Sequence, residues 1–260
     1  MKYAIDNFVI AERQLLSFSN PGEFYMAMVL KRRKDVNGPV IEGVNEDNRL
    51  IKHYFIYDVE YLERKKQAII NLCDQNNARA YPLPQRRNCR LVLWALHDKV
   101  SDTLRCGSMN VHFDHLIRSC VAGMHDTFEK CHKRWVIDID EDDESTKKLA
   151  LEWKEKHSNP TPESFIVREY SEWIAYKVRT ALVMKDGQRF EDAVKFMPRP
   201  GSDYTDDDIT VVPTPHGFHV VTPPFNRDPK AMEEYFGVGM PNHAWIKPDA
   251  MALLYSPSTI

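Results

Sequence analysis

The chain has 260 residues, 43% of them hydrophobic, enough to bury a sizeable core as one large domain or two small ones. Its net charge is −3, so no overall basic footprint marks it as a nucleic-acid binder, and no apolar run approaches the ~20 residues that a membrane span needs. Five scattered cysteines without a Cys-x-x-Cys pair fit a reducing compartment rather than a disulfide framework. With an N-terminal stretch that lacks the apolar core of a signal peptide, the expectation is a cytoplasmic protein with no membrane partner.

Charge is spread unevenly. Residues 1–134 carry 21 Lys and Arg against 16 Asp and Glu, whereas residues 135–260 carry 14 against 22. A basic half beside an acidic half suits a phosphate-bearing polymer that crosses to a metal site, although chance produces the same imbalance. No repeat or low-complexity tail interrupts the chain, which reads as a single domain over 1–260.

The first half opens with a helix-like stretch over 11–18, closed by Asn20-Pro21-Gly22, and a buried strand over 24–30 that ends in a basic run. A second strand over 53–57 leads into an amphipathic helix over 58–76, in which Leu62, Ala68, Ile69, Leu72 and Cys73 share a face and Asp58 caps the start. A short strand over 78–81 follows, and the resulting β-α-β unit predicts a parallel strand pair. Arg79 lies in that strand, with Arg86 and Arg87 just beyond it. Ligands of α/β sheets collect near such strand ends, which makes these arginines candidate phosphate contacts, although surface arginines on a loop are the commoner explanation. A helix over 88–102 buries some combination of Leu91, Leu93, Trp94, Leu96 and Val100. The next helix, over 112–130, is rich in His112, His115, Cys120, His125, Cys131 and His132, but none of the dense zinc spacings is present, so these read as helical core and surface.

The second half begins with Trp135-Val136-Ile137-Asp138-Ile139-Asp140, whose alternation is that of a strand. Asp138 and Asp140 therefore share a face. Two close carboxylates repel unless a cation or donors neutralise them, and a hard divalent ion with oxygen ligands does so economically. A strand that reaches the surface and runs into an acidic helix start explains the same residues, because Glu141 to Ser145 follow and acids favour a first helical turn. A helix over 145–156 comes next. Residues 163–184 read as part helix and part strand, and Asp186-Gly187 signals a hairpin into a strand over 190–196. Strands over 209–212 and 218–221 are joined by a Pro- and Gly-bearing turn, a short helix covers 228–236, and a last strand covers 250–255. The predicted class is α/β (α+β), a mixed sheet with flanking helices.

Three features stand in chain order: the Asp-x-Asp strand, Gly217-Phe218-His219 on a strand, and Asp249 beside an apolar segment. Carboxylates that hold divalent metals, with a histidine beside the phosphate, are the equipment of nucleotidyl or phosphoryl transfer. These motifs resemble the archaeo-eukaryotic primase superfamily, whose core shows a hydrophobic-Asp-hydrophobic-Asp strand, a small-x-His motif and a hydrophobic-Asp motif. Pro248 stands where that third motif has a hydrophobic residue. The resemblance implies a primase-polymerase-like core and Mg²⁺ or Mn²⁺ bound by Asp138, Asp140 and Asp249. It also implies phosphate contact through His219, with a nucleic-acid template and nucleoside triphosphates as partners. The chain is also similar to short phage and prophage proteins across residues 77–81 and 214–226, which implies a mobile-element source but no activity; for a phage-encoded chain the setting is the host cytoplasm and a phage replication protein is a candidate partner.

Competing readings are a metal-dependent nuclease or phosphohydrolase, and a non-catalytic module that binds nucleic acid or protein on a primase-like scaffold. A nucleic-acid ligase is excluded, because Met184 stands where the nucleophilic lysine of a Lys-x-Asp-Gly pattern belongs.

Overall fold

A computed structural model describes residues 3–32, 49–107, 113–122, 133–157, 162, 165–183, 208–248 and 250–258. The chain divides into two compact units, residues 1–133 with 254–260 and residues 134–253. Both units mix helices with antiparallel sheet. Among the described residues no helix is long and apolar enough to cross a membrane.

In the first unit, β1 (Ile5–Asp6), β2 (Glu23–Lys31), β3 (Arg49–Ile56), β4 (Arg79–Pro82) and the C-terminal β10 (Tyr255–Ser256) form a sheet in the order β1-β10-β4-β2-β3. β5 (Arg87–Asn88) also pairs with β2. β2 is buried from Glu23 to Leu30, on both of its faces, with strands on both of its edges. This corrects the predicted parallel pair. β3 and β4 each run antiparallel to β2 and lie on either side of it, so they point the same way without touching. The expected mixed sheet is accordingly an antiparallel one.

After the short helix α1 (Phe8–Ile10), the helix α2 (Val59–Asn76) connects β3 to β4 and buries Leu62, Ile69 and Cys73 at helical spacing. Asp58 caps it by accepting from the Tyr61 amide, and Asn77 ends it in the left-handed conformation at φ 49°. The helix α3 (Cys89–Arg105) departs from expectation. It buries Val92 and Ala95, while Leu91, Leu93 and Trp94 are exposed. The i, i+3 pair of smaller side chains makes the packed face, and the bulkier residues project from the other sides. Of the soft-ligand set on the following helix α4 (Phe113–Ala122), Cys120 is buried; the other members lie outside the side chains described.

In the second unit, β6 (Trp135–Asp140), β7 (Thr210–Thr214), β8 (Gly217–Thr222) and β9 (Ile246–Lys247) form an antiparallel sheet in the order β7-β8-β6-β9. Ile137, Ile139, Val220 and Ile246 enter one core with Ala150 and Trp153 of α5 (Glu144–His157) and with Tyr170 and Ile174 of α6 (Ile166–Val183). Met232 and Phe236 of α7 (Pro229–Phe236) join the same core. Burying Ile137 and Ile139 contributes about 1.5–3 kcal/mol each. Tyr170 is fully buried, and its hydroxyl is satisfied by donating to the Gly239 carbonyl at 2.8 Å.

Three local expectations change. α6 is one continuous helix over Ile166–Val183, with no strand in it. The link between β7 and β8 is a two-residue turn at Pro215 and His216, because Thr214 already pairs with Gly217. Of the expected last strand over 250–255, only Tyr255 forms a ladder, in a two-residue strand that continues to Ser256. The Asp186-Gly187 hairpin and the 190–196 strand lie outside the described residues.

Gly217 is required by its geometry. It holds φ +149°, and a Cβ there would meet the Ile139 carbonyl oxygen at 2.0 Å. Gly217→Ala is expected to cost at least about 2 kcal/mol, from a backbone region closed to other residues and from forcing β8 away from β6. Urea unfolding checks this. Gly22→Ala, at φ +85° with open space around it, is the milder comparison.

Candidate functional site

The alternation of β6 works as its sequence says. Ile137 and Ile139 enter the helical core and Trp135 packs against it, so Asp138 and Asp140 lie on the opposite face. The register then decides what meets them. Asp138 lies directly opposite His219, and Asp140 directly opposite Gly217. On the other edge of β6, Val136 pairs with Lys247, which puts Lys247 on the same face one position along from Asp138.

The result is a carboxylate held from two sides. His219 Nε2 lies 3.2 Å from Asp138 Oδ1, and the Lys247 ammonium donates to Asp138 Oδ2. Burial alone would raise the Asp138 carboxyl. The hydrogen bond and charge of His219, followed by those of Lys247, outweigh it and hold the group well below the usual carboxylate range. Asp138 is therefore an anion at neutral pH with a cation already beside it. His219 Nδ1 is buried and has no hydrogen-bond partner among the described residues.

The acidic stretch after β6 divides its labour. Asp143 accepts from the Ser145 amide at 3.0 Å and from the Ser145 hydroxyl at 2.6 Å, and so caps α5. Those hydrogen bonds lower its carboxyl. Asp142 meets His216 Nδ1 at 2.8 Å across the turn. For Glu141, burial and the neighbouring Asp142 raise the carboxyl. Asp143 thus matches the acidic helix start, and Asp138 does not.

Asp249 lies outside the described residues. Arg79, Arg86 and Arg87 belong to the first unit, and all are buried. Arg86 lies 3.2 Å from Glu23 and donates at 2.9 Å to both the Ser17 carbonyl and the Ser19 hydroxyl. Glu23 also accepts from the amides of Ser19 and Asn20. Arg86 therefore staples the 17–23 segment to the sheet.

Lys247 is the site residue that the sequence reading passed over. The signal lay in Ile246 and Lys247, an apolar-polar pair at the start of the third motif, whose cross-strand partners only a register identifies.

Asp138 and Asp140 offer hard oxygen donors on one strand face, which suits a hard divalent cation. Among the described residues no three His, Cys, Asp or Glu side chains gather as a metal group. No protein-family model matches the chain, and no curated protein or solved structure matches it. The primase-like resemblance rests on its motifs.

Because its folded pKa is depressed, Asp138 contributes stability that is fully present above the unfolded carboxylate value of about 4. That contribution fades as pH falls toward the folded value. Asp138→Asn should cost about 2 kcal/mol at pH 7, and the gap to wild type should narrow below about pH 4. Denaturant unfolding across pH reads both effects.

Proposed function

We propose that the second unit carries a metal-dependent nucleotidyl-transfer site of primase-polymerase type, working on a nucleic-acid template with nucleoside triphosphates. The observation that carries this reading is the register that sets Asp138 opposite His219, with Asp140 on the same face. The DxD and small-x-His motifs, far apart in the chain, thereby share one surface.

Asp138 and Asp140 would hold Mg²⁺ or Mn²⁺, with Asp249 as the third ligand that the motif order implies. When bound, the metal neutralises charge on the triphosphate and aligns the attacking hydroxyl. Asp138 is kept ionised for this task, because His219 and Lys247 outweigh its burial. His219 fixes the direction of the carboxylate through Nε2. Gly217 lets β8 close against the end of β6, since any side chain there would strike the backbone. No base is needed to activate water, and positioning with electrostatics is most of what such a transfer asks of a protein.

A second reading follows from Lys247. An ammonium already on Asp138 neutralises it without a metal, which fits a non-catalytic module that binds nucleic acid on the same scaffold.

With Mn²⁺, single-stranded template and labelled nucleoside triphosphates, the purified protein is expected to build label into a short oligomer. Asp140→Ala should abolish incorporation, and His219→Ala should weaken it. Template degradation without triphosphate would replace this reading with a nuclease. Template binding that needs no metal, with no incorporation, would establish the binding module.

A further inference from the structure

We infer that Lys247 is a movable cation of this site. Its ammonium holds one oxygen of Asp138 while no divalent metal is bound, and gives that oxygen up on metal binding to meet a phosphate of the nucleotide. The inference rests on the metal-centre reading above and assigns the phosphate contact to Lys247 in place of His219.

The backbone supplies the first support. Pairing of Lys247 with Val136 sets its side chain on the Asp138 face by register. β9 is only two residues long and, among the described residues, lies at the sheet edge, with Pro248 in a turn immediately after it. The side chain therefore starts from a fixed point and ends on a flexible four-carbon stem.

The two partners of Asp138 differ in freedom. The His219 side chain is 13% exposed, with Nε2 committed to Asp138 and Nδ1 buried. Turning that ring toward a ligand would strip Asp138 of a buried partner. The Lys247 side chain is 48% exposed, so it leaves for water at little cost. His219 is thus a positioning residue, and Lys247 is the group able to move.

Electrostatics supplies the rest. A divalent ion on Asp138 Oδ2 would face an ammonium within a few ångströms, and like charges at that range repel. The ammonium must step aside. A triphosphate that accompanies the metal brings several negative oxygens, and an ammonium suits them as a compact point charge. The same lysine would stabilise Asp138 in the empty site and the phosphate in the filled one.

Calorimetric titration of the full chain with Mn²⁺ alone, then with a non-hydrolysable nucleoside triphosphate plus Mn²⁺, tests this. Lys247→Met should bind Mn²⁺ about three- to tenfold tighter than wild type, because the competing cation is gone. The same variant should bind the metal–triphosphate about tenfold more weakly. Lys247→Arg, which keeps the charge, should move both affinities back toward wild type. Equal Mn²⁺ affinity in wild type and Lys247→Met, with Asp138→Asn weaker than both, would overturn the inference and leave the metal centre standing. Tighter Mn²⁺ binding with unchanged triphosphate affinity would overturn the phosphate role. Mn²⁺ binding that ignores Asp138→Asn in every background would overturn the inference and the metal reading together.

Discussion

A carboxylate that is largely buried and still ionised needs compensation, and in the second unit Asp138 obtains it from both neighbouring strands. His219 comes from β8 and Lys247 from β9, each delivered by antiparallel register. The arrangement ties sheet order to electrostatics. With β6 at an edge, or with either neighbour slipped by one residue, Asp138 would lose a partner and its burial would be less fully compensated. The sheet order β7-β8-β6-β9 is therefore the order that this carboxylate requires.

The other face of the same strand shows why the register does not slip. Ile137 and Ile139 are fully buried in the helical core, and a one-residue shift would turn them out and the aspartates in. Gly217 pins the end of the ladder, because only a residue without Cβ accepts φ +149° beside the Ile139 carbonyl. Apolar packing on one face thus holds the polar geometry on the other. Arg86 with Glu23 plays a comparable part in the first unit, where a buried pair fixes the segment leading into β2.

Local features were legible in the sequence where their physics is local. The alternation at 135–140, the Asp58 cap and the amphipathic face of α2 depend on neighbours within a turn or a strand, and each stands in the structure, except that Ala68 of the expected helix face is exposed. What escaped depends on distant partners. β2 inserts between β3 and β4, which no β-α-β pattern reveals. The buried Arg86 looks like a loop arginine until Glu23 and Ser17 are beside it. In α3 the largest apolar side chains suggested the wrong face, because the smaller Val92 and Ala95 do the packing. Lys247 was hidden for the same reason as β2. The sequence pointed to a divalent ion as the economical partner of the two carboxylates, and the ammonium that cross-strand pairing brings to Asp138 was not visible in it.

The central claim is that Asp138 and Asp140 form a metal-bearing surface in which Lys247 gives way and His219 stays. A crystal soaked with Mn²⁺ and a non-hydrolysable nucleoside triphosphate tests it directly through anomalous scattering. The account predicts a manganese peak on the carboxylates of Asp138 and Asp140, with His219 still against Asp138 and Lys247 on a phosphate. Manganese bound away from both aspartates, with Lys247 still on Asp138, would contradict it.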